Sequence, residues 1–108
     1  MPIWILTACL GQQKPRESAP FERMAPACEA GVVTQVLDAG SYRYLAYETP
    51  AGEARWIATL ALGAEPALGS AHDFVRYGQE QGFHSARLDR SFNLLFFGFS
   101  GDCETLEG

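Results

Sequence analysis

The residues able to do chemistry in this chain are few: three cysteines, Cys9, Cys28 and Cys103, and two histidines, His72 and His84. A cysteine can act as nucleophile, metal ligand or disulfide partner, and a histidine as ligand or proton carrier. Their spacing matches no familiar reaction centre. No Ser/His/Asp order comes with a nucleophile turn, no glycine-rich loop is placed to cradle phosphate, and no Cys/His spacing fits zinc. No enzyme activity and no cofactor are therefore expected. His84 lies between Phe83 and Ser85, close to Arg87, Asp89 and Arg90, and reads as a loop-capping residue or as an exposed ligand or proton carrier. Metal or haem handling would need the fold to bring His84 and His72 together. Arg90 reads as a guanidinium that fixes its loop through backbone carbonyls, or as a ligand contact.

The 108-residue chain is long enough for one domain, and its hydrophobic fraction of 47%, with seven Phe, is enough for a core. Eight Lys and Arg stand against 13 Asp and Glu, a net charge of −5, with no basic cluster. Nucleic-acid binding draws on counterion release at phosphates by Lys and Arg, so no nucleic acid is expected as a partner.

Leu6-Thr7-Ala8-Cys9 follows the apolar run Ile3-Trp4-Ile5. Small residues ahead of a cysteine, behind a short apolar segment, resemble the lipobox of bacterial lipoproteins. In that family a signal peptidase cuts before the cysteine, whose sulfur then carries a diacylglycerol. The resemblance implies that residues 1–8 are the remnant of a signal peptide and that Cys9 is lipidated. It further implies that the protein is held at a membrane in the periplasm or cell envelope. The segment before Cys9 lacks the Lys or Arg of a secretory n-region, so a start further upstream is expected. The alternative is an apolar N-terminus with one free thiol. No apolar run of about 18 residues is present, so no membrane-spanning helix is expected.

With Cys9 assigned in this way, Cys28 and Cys103 remain, at the two ends of the region with folding signals. A disulfide between them is expected, as small exported domains are often stapled. A Cys-based metal site is the rival reading. Residues 10–27, with three prolines and no sustained apolar period, read with Cys9 as a flexible tether, followed by a domain over 28–103 and a tail over 104–108.

Strand signals begin at Gly31. Gly31–Leu37 is rich in β-branched residues and closes on Asp38-Ala39-Gly40-Ser41. Tyr42–Thr49 and Glu53–Leu62, which contains Arg55–Leu60, form a hairpin pair across Pro50-Ala51-Gly52. Gly63–His72 reads as a loop or short helix, Asp73–Tyr77 as a fourth strand, Gln79–Arg90 as a polar connection, and Ser91–Phe99 as the last strand. Phe92, Leu94 and Phe96 alternate with Leu95, Phe97 and Phe99, so the last strand is apolar on both faces and needs a cover. The Gly63–His72 segment is the expected cover. Five short strands predict a small all-β barrel. Tyr42, Tyr44 and Trp56 fall on its strands two and three, where aromatics form a ligand or partner face or plain cladding.

Two boxes carry a further resemblance. Gly31-x-Val33-x-x-Val36-x-Asp38-Ala39-Gly40-x-Tyr42-x-Tyr44 precedes Thr49-x-x-Gly52-Glu53-x-x-Trp56-Ile57-Ala58, and Phe83-His84-Ser85-x-x-Leu88-x-Arg90-x-Phe92 precedes the last strand. Together they resemble a family of small exported bacterial OB-fold proteins. Some members accompany periplasmic nitrite-reductase and c-type cytochrome gene clusters, and many carry only a generic nucleic-acid-binding label. The resemblance implies a five-stranded OB-like Greek-key barrel and an accessory role, with an envelope protein partner or small ligand, and no defined activity. Gln79 and Gln81 stand where members often have methionines, and Ala86-Arg87 where Lys-Thr is usual. The alternatives are an OB nucleic-acid binder and metal or haem handling through His84 and His72.

Overall fold

The computed structural model describes residues 21–101 and Cys103. Cys9 and most of the expected tether lie outside them. Five strands follow one another: β1 (Glu22–Ala39), β2 (Tyr42–Glu48), β3 (Ala54–Leu60), β4 (Ala71–Ser85) and β5 (Arg90–Ser100). They close into one ring in the order β1-β2-β3-β5-β4, with β1 pairing back onto β4. All ladders are antiparallel except the parallel β3–β5 contact. The result is an all-β, OB-like Greek-key barrel.

Local chemistry sets the turns. Gly40, at φ +72°, supplies the left-handed position of the two-residue β1–β2 hairpin. In the β4–β5 turn Asp89 takes φ 52°, which a short polar side chain tolerates better than most. Pro26 falls where the β1–β4 ladder slips between Arg23 and Ala27, a position that requires no ladder donor from it.

Alternation along the strands produces two apolar clusters on opposite faces. The first takes Val33, Leu45, Tyr47, Ile57, Phe74 and Phe96, with at least one side chain from every strand, and fills the ring. Gly31 and Gly98 permit the close approaches that this filling needs: a Cβ on Gly31 would strike the Tyr47 ring, and one on Gly98 the Val75 carbonyl. The second cluster, Ala39, Tyr44, Ala58, Phe92 and Leu95, lies on the outer face. Neighbours in sequence therefore part company, Tyr44 from Leu45, Ala58 from Ile57 and Leu95 from Phe96.

The strands depart from the sequence expectation in three places. β1 begins at Glu22, within the stretch read as tether, because Glu22 and Arg23 pair with Gln79 and Gly78 of β4. β4 runs through Gln79–Ser85, read as a polar connection, because these residues form a long ribbon with β5 down to Ser85↔Arg90. The segment 61–70 is a loop without a helix, and His72 already belongs to β4. That loop reaches the last strand only near Phe99. The outer side of β5 is covered instead by the tip of its own hairpin, through Phe83 and Leu88, and by Phe21, whose ring meets Phe97 edge-on at 5.3 Å.

Candidate functional site

The fold brings the two sequence boxes against each other. Tyr44 of β2 stacks on Phe92 of β5 at 5.4 Å and 10°, and Trp56 of β3 meets Phe92 edge-on at 5.2 Å. Phe83 stands 6.3 Å from Tyr44 and 6.1 Å from Phe97. Ser85 is buried and its Oγ accepts the Leu88 N–H at 3.2 Å, which holds the hairpin tip in shape. The register Tyr42↔Leu60, Tyr44↔Ala58, Ala46↔Trp56 puts Tyr42, Tyr44 and Trp56 on one outer face. The hairpin tip covers most of that face: Tyr44 is only 6% exposed and Trp56 half-buried, whereas Tyr42 remains 46% exposed beside the β1–β2 turn. Tyr44 and Phe92 are thus packing residues.

One part of the face stays open. β3 and β5 pair only at Ile57↔Phe96 and Ala58↔Phe97. Towards the hairpin tip the seam widens into a hollow of about 360 Å³ whose walls include Arg55, Trp56, Arg90, Phe92, Asn93 and Leu94. The Arg90 guanidinium lies 4.8 Å from the Trp56 ring and 5.0 Å from the Phe92 ring, a cation–π contact that leaves its N–H donors uncommitted among the described residues. No carboxylate lines this hollow. An aromatic wall, a guanidinium with open donors and short unpaired strand edges can receive a carboxylate or a backbone carbonyl. Ser91 also lines the hollow, its Oγ 2.9 Å from His84 Nδ1.

The histidines are not brought together. They sit twelve residues apart on β4, roughly 40 Å of strand path. His72 Nε2 is 2.8 Å from Ser70 Oγ and Nδ1 is 3.4 Å from Ser100 Oγ. His84 Nδ1 is 2.9 Å from Ser91 Oγ, and its Nε2 is 3.9 Å from Asp89. Each histidine braces its own end of the strand, and the arrangement does not support a shared metal site.

Cys28 and Cys103 form a disulfide with a Cα–Cα distance of 5.7 Å. Asp73 approaches both sulfurs, the one grouping of potential metal ligands among the described residues. With the sulfurs bonded to each other no thiolate is available to a metal. A hollow of about 510 Å³, lined in part by Gly31, Glu48, Thr49, His72 and Asp73, holds no arrangement of reactive groups.

Sequence reasoning missed a polar cluster at one mouth of the ring. Tyr47 Oη donates to Glu29 Oε1 at 2.8 Å, and the same oxygen lies 3.4 Å from Arg55 Nε and 3.6 Å from Arg76 Nη1. Arg76 also covers the Phe96 ring at 4.4 Å, and its Nε is buried without a partner. Burial pushes the Tyr47 phenol well above its ordinary pKa, and the hydrogen bond to Glu29 pushes it in the same direction. Burial lowers the Arg55 pKa, but the Glu53 and Glu29 carboxylates outweigh it and raise the guanidinium above its usual range. The four residues come from four strands, so no local spacing announces them. The only sequence signal is the shared parity of Glu29, Gly31 and Val33 on β1, which points Glu29 inward.

Comparison with known protein families, with characterised proteins and with solved structures gives no match.

Proposed function

We propose that this protein is a non-enzymatic accessory module of the bacterial cell envelope, lipid-anchored through Cys9, which takes a protein partner or small ligand at the β3–β5 seam. The hollow beside Trp56 and Arg90 carries the reading. It combines aromatic surface, an open guanidinium and unpaired strand edges in a domain whose other aromatics are mostly spent on packing. Lipidation rests on the lipobox at Leu6–Cys9, and the envelope location rests on it in turn. A disulfide between the remaining cysteines suits an oxidising compartment. The nucleic-acid alternative is weak: two arginines line the hollow, one already held by Glu29 and Glu53, in a chain of net charge −5.

The test is site-directed photocrosslinking in living cells. Leu94→p-benzoylphenylalanine should give one discrete adduct, and Arg90→Glu should abolish it. In the same cells an alkynyl fatty acid should label the wild type but not Cys9→Ser. Adducts no different from those of a probe at Glu48, or labelling that survives Cys9→Ser, would reject the corresponding half of the reading. Saturable, salt-sensitive binding of single-stranded DNA at about 150 mM salt would promote the nucleic-acid alternative.

A further inference from the structure

The three most exposed large apolar residues among those described are Leu62 at 75%, Leu68 at 68% and Leu60 at 55%; Leu62 and Leu68 belong to the β3–β4 connection and Leu60 is the last residue of β3. Over residues 61–70 the only charged side chain is Glu65. A solvent loop normally carries polar residues, so three strongly exposed leucines in and beside this one suggest an apolar partner.

The loop is also held rigid. Arg43 donates to the carbonyls of Ala64 at 3.3 Å and Gly63 at 3.4 Å, with Asp38 3.4 Å behind its Nε. Gly69 N–H bonds Val33 O at 2.7 Å, and Val33 N–H bonds Ser70 O at 2.9 Å. The leucines are therefore presented on a fixed platform. Tyr42 and Tyr77, both nearly half exposed, lie close by: Tyr42 pairs with Leu60, and Tyr77 lines the hollow that Leu60 and Leu62 border. Tyrosines beside an apolar tip are what a membrane–water boundary favours.

We propose that the 61–70 loop inserts its leucines into the interfacial region of a zwitterionic phospholipid bilayer, and so sets the orientation of the domain on its membrane. The proposal rests on acylation at Cys9 for its geometry. Twelve residues separate Cys9 from the start of β1 at Glu22, a reach of about 40 Å when extended. Glu22 pairs with Gln79, eight residues along β4 from the loop's end at Ala71, about 26 Å of strand. The tether is long enough for anchor and loop to meet the same bilayer. Charge selects the lipid: the only charged side chain within the loop is Glu65, the Arg43 guanidinium against it is paired with Asp38, and the chain is acidic, so an anionic surface would repel it.

The test uses the full chain in two forms. Lipidated protein carrying Leu62→Trp is reconstituted in phosphatidylcholine vesicles, and lipids brominated in the acyl chain should quench the new tryptophan; Gln81→Trp, exposed and ten residues along β4 from Ala71, should escape quenching. The unlipidated Cys9→Ser chain should float with added phosphatidylcholine vesicles. Leu62→Asp with Leu68→Asp, both at exposed positions, should cut that partition at least tenfold, and adding phosphatidylglycerol should weaken it. Failure of the wild type to retain acyl label would reject the anchor. Retained label with an unquenched Leu62→Trp, or a partition insensitive to the two aspartates, would overturn the loop assignment. Concentration-dependent dimerisation lost in the same double variant would assign the leucines to a second copy of the chain and also overturn it.

Discussion

Removing the Cys28–Cys103 disulfide should be among the costliest changes that can be made to the barrel. The bond joins residues 75 apart, so it constrains nearly all of the described chain in the unfolded state. In the chain-entropy model a loop of that length is worth about 4.5 kcal/mol at 25 °C. The Cα–Cα distance of 5.7 Å lies within the ordinary range for disulfides, so the backbone need not move when the bond is deleted. A small domain has roughly 5–15 kcal/mol in total, and each kcal/mol moves Tm by about 4–8 °C. Cys28→Ala with Cys103→Ala should therefore lower Tm by roughly 20–35 °C and leave the domain marginal. Urea melts of the wild type and the double variant measure this directly. The variant should also show a larger m-value, because its unfolded chain expands further. A loss below about 1 kcal/mol with an unchanged m-value would refute the reasoning. It would mean either that the bond does not form or that the unfolded chain is already held compact.

Four further outcomes follow from the packing and the polar cluster. Because the folded Tyr47 pKa is raised, its protonated form contributes stability that is complete below the unfolded value of about 10 and is lost as pH rises beyond it. Wild-type stability should thus fall by about 1.4 kcal/mol per pH unit more steeply than that of Tyr47→Phe above pH ~10, read from urea melts in alkaline buffers. Phe92→Ala, which empties the space between Tyr44 and Trp56, should cost about 3–5 kcal/mol and shift Trp56 emission to the red. Arg43→Ala should speed amide exchange at Gly69 and Ser70 with little effect on global stability, since it frees the loop and leaves the ring intact. Gly98→Ala should destabilise the barrel by driving a methyl into the Val75 carbonyl, and normal melting would contradict that close approach.

How much of this was legible depended on whether a segment buries one face. β2, β3 and β5 alternate aromatic and aliphatic residues across a covered sheet, so the readings Tyr42–Thr49, Glu53–Leu62 and Ser91–Phe99 fall within two residues of the observed strand ends. The start of β1 pairs through Glu22 and Arg23, and the outer half of β4, with Gln79, Glu80 and Gln81, forms a ribbon with β5, so neither stretch shows an apolar period to detect. The parallel β3–β5 contact that closes the ring joins residues some forty apart and has no local signature. The same limit applied to the aromatic face. Strand parity assigns Tyr42, Tyr44 and Trp56 to one side, but only the folded β4–β5 ribbon shows that Phe83, Leu88 and Phe92 cover most of it. The cysteine pairing was legible because Cys28 and Cys103 flank the folding signals.

The distribution of bracing explains why the seam is the place to look for a ligand. The disulfide ties β1 to the chain beyond β5, and Glu29 draws together Tyr47, Arg55 and Arg76 from β2, β3 and β4. The β1–β4 and β4–β5 ladders are long, whereas β3 and β5 share two residue pairs. The ring is thus fastened everywhere except at one short parallel contact. Local opening concentrates where backbone pairing is sparsest, and strand edges freed there can be satisfied by another chain. An arginine packed against two rings at that opening, with its donors uncommitted among the described residues, gives an entering segment a directional contact and not merely an apolar surface. The leucine-bearing loop lies at the other end of the seam, where Thr59, Leu60 and Leu62 face Phe99 and Ser100. A domain seated on a membrane by that loop would turn the Arg90 hollow away from the lipid, towards a partner.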